Sequence, residues 1–165
     1  MNRRQFIAVL TGAAALLTGA RTGHAECGDI GAVEFVAGVY QRQAELQAAD
    51  TPPDDEAFFA HFSRNLRRLM QPPRRNKPNQ PIGPMLHAFF GWGVLPKAAI
   101  KIEKVIQMDG RDEGPATVRV DIRYRGEIRE SYVRAVREKE VWRIADISYD
   151  SGRSLAEHYR RIAGY

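Results

Sequence analysis

From Ala32 to Ala49 the apolar residues Val33, Val36, Val39 and Tyr40 recur three and four positions apart, with Gln41, Arg42, Gln43 and Glu45 between them. That period predicts an amphipathic helix. Thr51-Pro52-Pro53-Asp54 then interrupts the chain and restarts it. Thr51 suits a cap, Pro52 the first helical position, and Asp54, Asp55 and Glu56 complement the positive end of a helix dipole. A second helix is predicted to run on to Met70. Phe58, Phe59, Phe62, Leu66, Leu69 and Met70 fall on one side, Arg67 and Arg68 in the last turn, and Pro72 and Pro73 end it.

Residues 71–84 hold five prolines and three cations with almost nothing to bury, the pattern of an exposed loop. The functional reading of Arg74, Arg75 and Lys77 is a transient contact with anionic headgroups or an acidic partner; their proline-rich setting favours a solvated connection. The next segment, Met85 to Leu95, is too apolar for a surface and is expected to pack a short helix and turn against the open end of a sheet.

Beyond it the period changes to two. Val118, Val120, Ile122 and Tyr124 alternate with Arg119, Asp121, Arg123 and Arg125. Ala98–Met108, Ala116–Arg125, Glu127–Glu138 and Val141–Tyr149 are predicted as strands. Asp109-Gly110, Gly126 and Glu138-Lys139-Glu140 leave only short connections, which imply an antiparallel meander. Ser154 and Glu157 form a capping box for a last helix carrying Leu155, Tyr159 and Ile162. The order of elements defines an α+β fold: N-terminal helices packed on a curved four-stranded antiparallel sheet, with a C-terminal helix.

The N-terminal residues change this picture. Arg3 and Arg4, an uncharged stretch from Phe6 to Ala20, and Gly23-His24-Ala25 form the three zones of a secretory signal, so residues 1–25 are expected to be removed on export to the periplasm. Asn2-Arg3-Arg4-Gln5-Phe6-Ile7 resembles the twin-arginine export motif; a general secretory signal is the alternative. Residues 26–165 then form one domain. The formal net charge falls from +5 to +2, since Arg3, Arg4 and Arg21 leave with the signal, which argues against nucleic-acid binding. Glu26 separates the cleavage site from Cys27, so the mature chain is expected to be soluble rather than lipid-anchored. Cys27 is the sole cysteine, which excludes an intrachain disulfide.

Few motifs carry chemistry. Cys27, His61, His87 and His158 have no paired ligand spacing, so no metal is expected. The sequence has neither a glycine-rich phosphate loop nor a Gly-x-Ser-x-Gly turn, and no cofactor is expected.

Helices first, then a sheet ending in Val141-Trp142-Arg143-Ile144-Ala145-Asp146-Ile147, resembles the cone-shaped fold of nuclear transport factor 2-like proteins. The ending through Ser148-Tyr149, followed by Ser154-Leu155, is similar to exported bacterial proteins of domain of unknown function 3828. The likeness covers most of the mature chain in layout and its C-terminal part in detail. The same ending is also similar to the periplasmic phospholipid carriers of the outer-membrane lipid asymmetry system, through Trp142, Asp146, Gly152, Ser154, Tyr159 and Arg160. Arg153 interrupts the glycine-serine pair of those carriers, and their helical portion is longer.

The resemblance implies a cone whose interior or mouth holds a ligand. Phe89, Phe90, Trp92, Tyr124, Tyr132 and Trp142 are then the ligand-binding candidates, with Asp146, His61 and His87 as catalytic candidates should the cone be an active site. A catalytic pair needs one group poised to move a proton and another to stabilise the charge formed, and the sequence places no such pair. A non-catalytic domain binding a partner protein or small apolar ligand therefore ranks first. An apolar-ligand or phospholipid carrier ranks second, and a small isomerase- or hydratase-type enzyme third.

Overall fold

The computed structural model describes residues 31–52, 54–71, 86–94, 97–110 and 114–163. The expected signal segment, Cys27 and the loop cations Arg74, Arg75 and Lys77 lie outside these residues. Helix α1 spans Ala32–Ala48, α2 Asp55–Ala60 and α3 Arg64–Met70. A two-stranded ribbon, β1 (Leu86–His87) and β2 (Gly91–Trp92), follows. The main sheet has β3 (Ile100–Gly110), β4 (Ala116–Tyr124), β5 (Glu127–Glu138) and β6 (Val141–Tyr149), and α4 (Leu155–Ala163) comes last. The four strands pair antiparallel in chain order, as their short connections require.

Alternation divides the sheet into two faces. On β4, Val118, Val120, Ile122 and Tyr124 are buried under the helices, while Arg119, Asp121 and Arg123 take the other face. Helix α1 lies across β3 and reaches β4 and β5, presenting Ala32, Val36, Val39 and Tyr40 to the core. Val36, Tyr40, Phe62 and Phe89 are fully buried, and removing each such side chain from water contributes roughly 1.5–3 kcal/mol. The sheet itself is not strongly curled. The space above it is closed by α1, the ribbon and their aromatic side chains rather than by the strands wrapping round.

The expected second helix is divided at Phe62. His61 ends α2, and its carbonyl accepts a 2.8 Å bond from the Ile144 amide, while the Ser63 amide donates to the Ile144 carbonyl at 2.8 Å. Phe62 thus makes a parallel bridge to the edge of β6. Pairing that edge satisfies backbone groups which a continuous helix would leave open. Asp54 rather than Thr51 caps α2, accepting from the Ala57 amide at 2.9 Å, and Ser63 starts α3 afresh by accepting from the Leu66 amide.

The expected short helix after residue 85 is instead the β1–β2 ribbon, turning through Ala88–Phe90. Gly91 sits at φ +77°, and a Cβ there would lie 3.3 Å from Cδ1 of Tyr149. This backbone favours glycine and ends any helical run. The same turn carries Phe89 into the core.

At the outer edge, β3 has no second strand partner among the described residues. Its register shifts between Ile102 and Lys104 and between Gln107 and Asp109, and it carries Lys101 and Lys104. Irregularity and charge both blunt a free edge.

Candidate functional site: an open cleft at the end of the sheet

The antiparallel register of β5 and β6 sets Ser131 opposite Tyr149, so the start of β5 and the end of β6 meet at one rim of the sheet. The Asp150 amide donates to the Glu130 carbonyl at 3.1 Å and locks that junction. Between it and the ribbon turn lies an open cleft of about 300 Å³, lined by Phe90, Gly91, residues 127–131, Tyr149, Asp150 and Ser151.

Tyr149 forms one wall. Its ring packs on Gly91 and its hydroxyl donates to the Ala88 carbonyl at 2.6 Å, tying the ribbon to the sheet. Burial pushes the phenol pKa up, so Tyr149 acts as a neutral hydrogen-bond donor. Phe90 forms a second wall, stacked on the His87 imidazole at 4.5 Å. The floor carries Ser131, almost fully buried, beside the Tyr40 hydroxyl, whose pKa burial pushes up. Strand alternation turns Glu127, Arg129 and Ser131 toward the helix side and Glu130 toward the open face. The Arg129 guanidinium lies 4.7 Å above the Tyr124 ring, a cation–π contact that holds it at the cleft margin.

The residues singled out in the sequence are dispersed through the molecule. Phe89 is at the centre of the core, edge-on to Tyr40 and Phe58 and stacked on Phe62. Trp142 is buried beneath the Arg137 guanidinium. Tyr124 is buried with its hydroxyl donating to the Gly93 carbonyl at 3.3 Å. Tyr132 is on the open face, donating to Glu130 at 2.7 Å, a bond that raises its pKa by favouring the neutral phenol. The Trp92 side chain lies outside the described residues. Of the six ligand-binding candidates, Phe90 lines the cleft.

Asp146, His61 and His87 serve three separate structural duties. Asp146 Oδ1 accepts from the Ile147 amide at 2.8 Å and from the Ala156 amide at 2.9 Å, so it holds the first turn of α4 to β6. Ser154 completes that cap through the Glu157 amide. His61 bridges through its backbone at the end of α2, and burial, aided by Arg143, lowers its pKa. His87 Nδ1 accepts from the Phe89 amide at 3.3 Å, and burial pushes its pKa down to about 4. It is therefore neutral near pH 7 and fixes the ribbon turn. Among the described residues no three His, Cys, Asp or Glu side chains gather as a metal set.

The sequence reading did not single out Gly91, residues 127–131, Tyr149, Asp150 or Ser151 as site residues. They carry no motif; their one signal is the polar turn Asp150-Ser151-Gly152, which reads as an ordinary connection. The site is made by strand register, and register brings together residues from separate parts of the chain.

Fold and cleft together define an α+β domain with a filled core and an open, mixed polar and aromatic cleft at one end of its sheet. Compared with protein-family models, curated proteins and solved structures, the chain has no significant match.

Proposed function

We propose that the chain is an exported, non-catalytic binding domain that engages its partner in the periplasm through the cleft at the end of the sheet. The observation that carries this reading is the filled interior. Tyr40, Phe58, Phe62, Phe89 and Phe90 are in mutual ring contact between the helices and the sheet. A carrier of lipid tails needs that volume empty, and an enzyme of cone type needs its acid or histidine facing it. The side chains of Asp146 and His87 accept from backbone amides instead. In this reading the domain keeps the layout of a nuclear transport factor 2-like cone in a shallow form, closed by aromatic side chains.

The cleft offers aromatic walls, a buried hydroxyl and charges of both signs at its margin, which suit a small ligand or a short segment of a partner protein. No helix of the described residues is long and apolar enough to cross a membrane. A photo-crosslinking residue at Ile128 or Ser151 tests the cleft in the producing cell. A discrete adduct is expected from either position and none from Met108, which lies on the opposite, β3 edge of the sheet. Equal adducts at all three, or at Met108 alone, would move the binding surface elsewhere. Replacing Arg3 and Arg4 by lysine tests the export route: the chain should remain in the cytoplasm, and unchanged export would exclude the twin-arginine pathway.

A further inference from the structure

Strands β5 and β6 end at different places beside the cleft. β5 pairs with β4 from Glu127, opposite Tyr124, with no break in register, but it pairs with β6 from Ser131, opposite Tyr149. After Tyr149 the chain turns back: the Gly152 amide donates to the Tyr149 carbonyl at 2.9 Å, and Ser154 bridges to Ser148. Residues 127–130 therefore run on past the end of β6. They have β4 on one side and no strand on the other among the described residues. The lane that β6 leaves open is the cleft, which residues 127–131, Tyr149, Asp150 and Ser151 line.

The main chain of β5 points into this lane. The Asp150 amide donates to the Glu130 carbonyl, so the polar groups of Glu130 face the β6 side, and alternation turns those of Ile128 the same way. Among the described residues the Ile128 amide and carbonyl have no hydrogen-bond partner, and water satisfies them in the free protein. An extended segment laid in the lane, at the ordinary strand spacing of about 4.8 Å, takes them up instead. The other edges are less open. β3 has register shifts and carries Lys101 and Lys104, while β6 is bridged by Phe62 at Ile144 and by Ser154 at Ser148. At the β5 overhang the register is regular and Ile128 is 55% exposed.

Charge selects the segment. The charged residues lining the cleft are Glu127, Glu130 and Asp150 against Arg129, whose guanidinium lies over the Tyr124 ring. The cleft is acidic in a chain of formal net charge +5. A strand in the lane has Ile128 and Glu130 beside one of its faces, Glu127 beside the other, and Asp150 at its end.

We infer that the cleft takes an extended segment of a partner protein by strand addition along residues 128–130, and that this segment carries lysine or arginine next to an aliphatic residue. The inference rests on the cleft reading above and gives its partner a chemistry: main-chain bonds to Ile128 supply affinity, and the carboxylates supply the choice of sequence.

The test combines photo-crosslinking from Ser151 in the producing cell with substitutions in the lane. Ile128→Pro deletes the lane-facing amide, which makes no bond to β4, so the sheet tolerates the change. The Ser151 adduct should be lost, and Ile128→Val should keep it. Glu127→Lys/Asp150→Lys preserves every main-chain group and reverses the charge, and it should cut the adduct roughly tenfold. The second probe is a library of random linear heptapeptides displayed on phage and selected on the protein purified as it accumulates in the cell. Selection should enrich lysine and arginine beside valine and isoleucine, and the enriched peptides should bind Ile128→Pro at least about tenfold more weakly. Circular dichroism checks folding, and if Ile128→Pro does not fold, the charge-reversed variant and the selected sequences decide. An adduct that survives Ile128→Pro in a folded chain overturns strand addition and leaves the cleft reading standing. An adduct unchanged by charge reversal, or selection of peptides without cations, overturns the basic segment. Absence of adducts from both Ser151 and Ile128 in the otherwise unaltered chain overturns the cleft reading, and this inference with it.

Discussion

The two faces of the sheet are built from the same strands and solve opposite problems. On the covered face, Val118, Val120, Ile122, Val133, Ile144 and Ile147 meet the aromatic side chains of α1, α2 and the ribbon, and water is excluded. On the open face, Arg119 bonds Asp121 at 3.0 Å and lies 3.7 Å from Glu130, and Arg123 bonds Glu103 at 2.7 Å. The covered face draws its energy from area removed from water and from close packing. The open face holds the largely buried Arg119–Asp121 pair and, toward its margin, more exposed pairs such as Lys101–Glu103 that water screens and that are worth little to stability. The lesson is that the covered face holds the fold together, while the open face and its margins are free to vary.

The sharpest way to break this contrast is to cut into the aromatic plug. Phe89→Ala should lower stability by about 4 kcal/mol, read as a shifted denaturation midpoint in urea. A loss below about 1 kcal/mol would mean that the interior is loosely filled and that the carrier reading regains ground.

The next largest effect is a pH dependence. Burial holds His87 at about 4, below its ordinary 6.5, so the unfolded chain takes up this proton first as pH falls. Its contribution is full above the unfolded value, declines as pH falls toward the folded value, and amounts to about 3 kcal/mol. His87→Gln should therefore narrow the stability difference between neutral and acidic solution, measured by thermal unfolding across that window. An unchanged difference would place the titration elsewhere.

Asp146 joins the two regions, since it sits at the edge of the sheet and caps α4. Asp146→Ala should destabilise the fold by about 1–2 kcal/mol, with amide exchange quickening first at Ala156 and Glu157. The smallest effect belongs to the open face. Lys101→Gln, at the exposed end of the pair with Glu103, should change stability by less than about 1 kcal/mol, and a larger loss would show that this pair is structural rather than screened.

Much of the fold is legible along the chain because it depends on period. The alternation of Val118 to Tyr124 announces β4, the spacing of Val36, Val39 and Tyr40 announces α1, and the Glu127 to Glu138 and Val141 to Tyr149 boundaries match β5 and β6. The break at Phe62 is not legible, because Phe58, Phe62 and Leu66 keep a helical spacing across it. The unpaired edge of β6, distant in sequence, decides the matter. The turn at Ala88–Phe90 is hidden for a similar reason: an apolar run has no period of its own, and Gly91 settles it by the close approach of Tyr149.

By itself, then, the sequence determined an α+β chain with N-terminal helices, four antiparallel strands and a C-terminal helix. Those properties follow from local pattern and composition, which neighbouring residues express on their own. The tertiary structure decided that the sheet is not strongly curled, that aromatic side chains pack its covered face, and that a cleft opens where β5 and β6 meet. Each depends on contacts between segments far apart in the chain, where register and packing choose the neighbours.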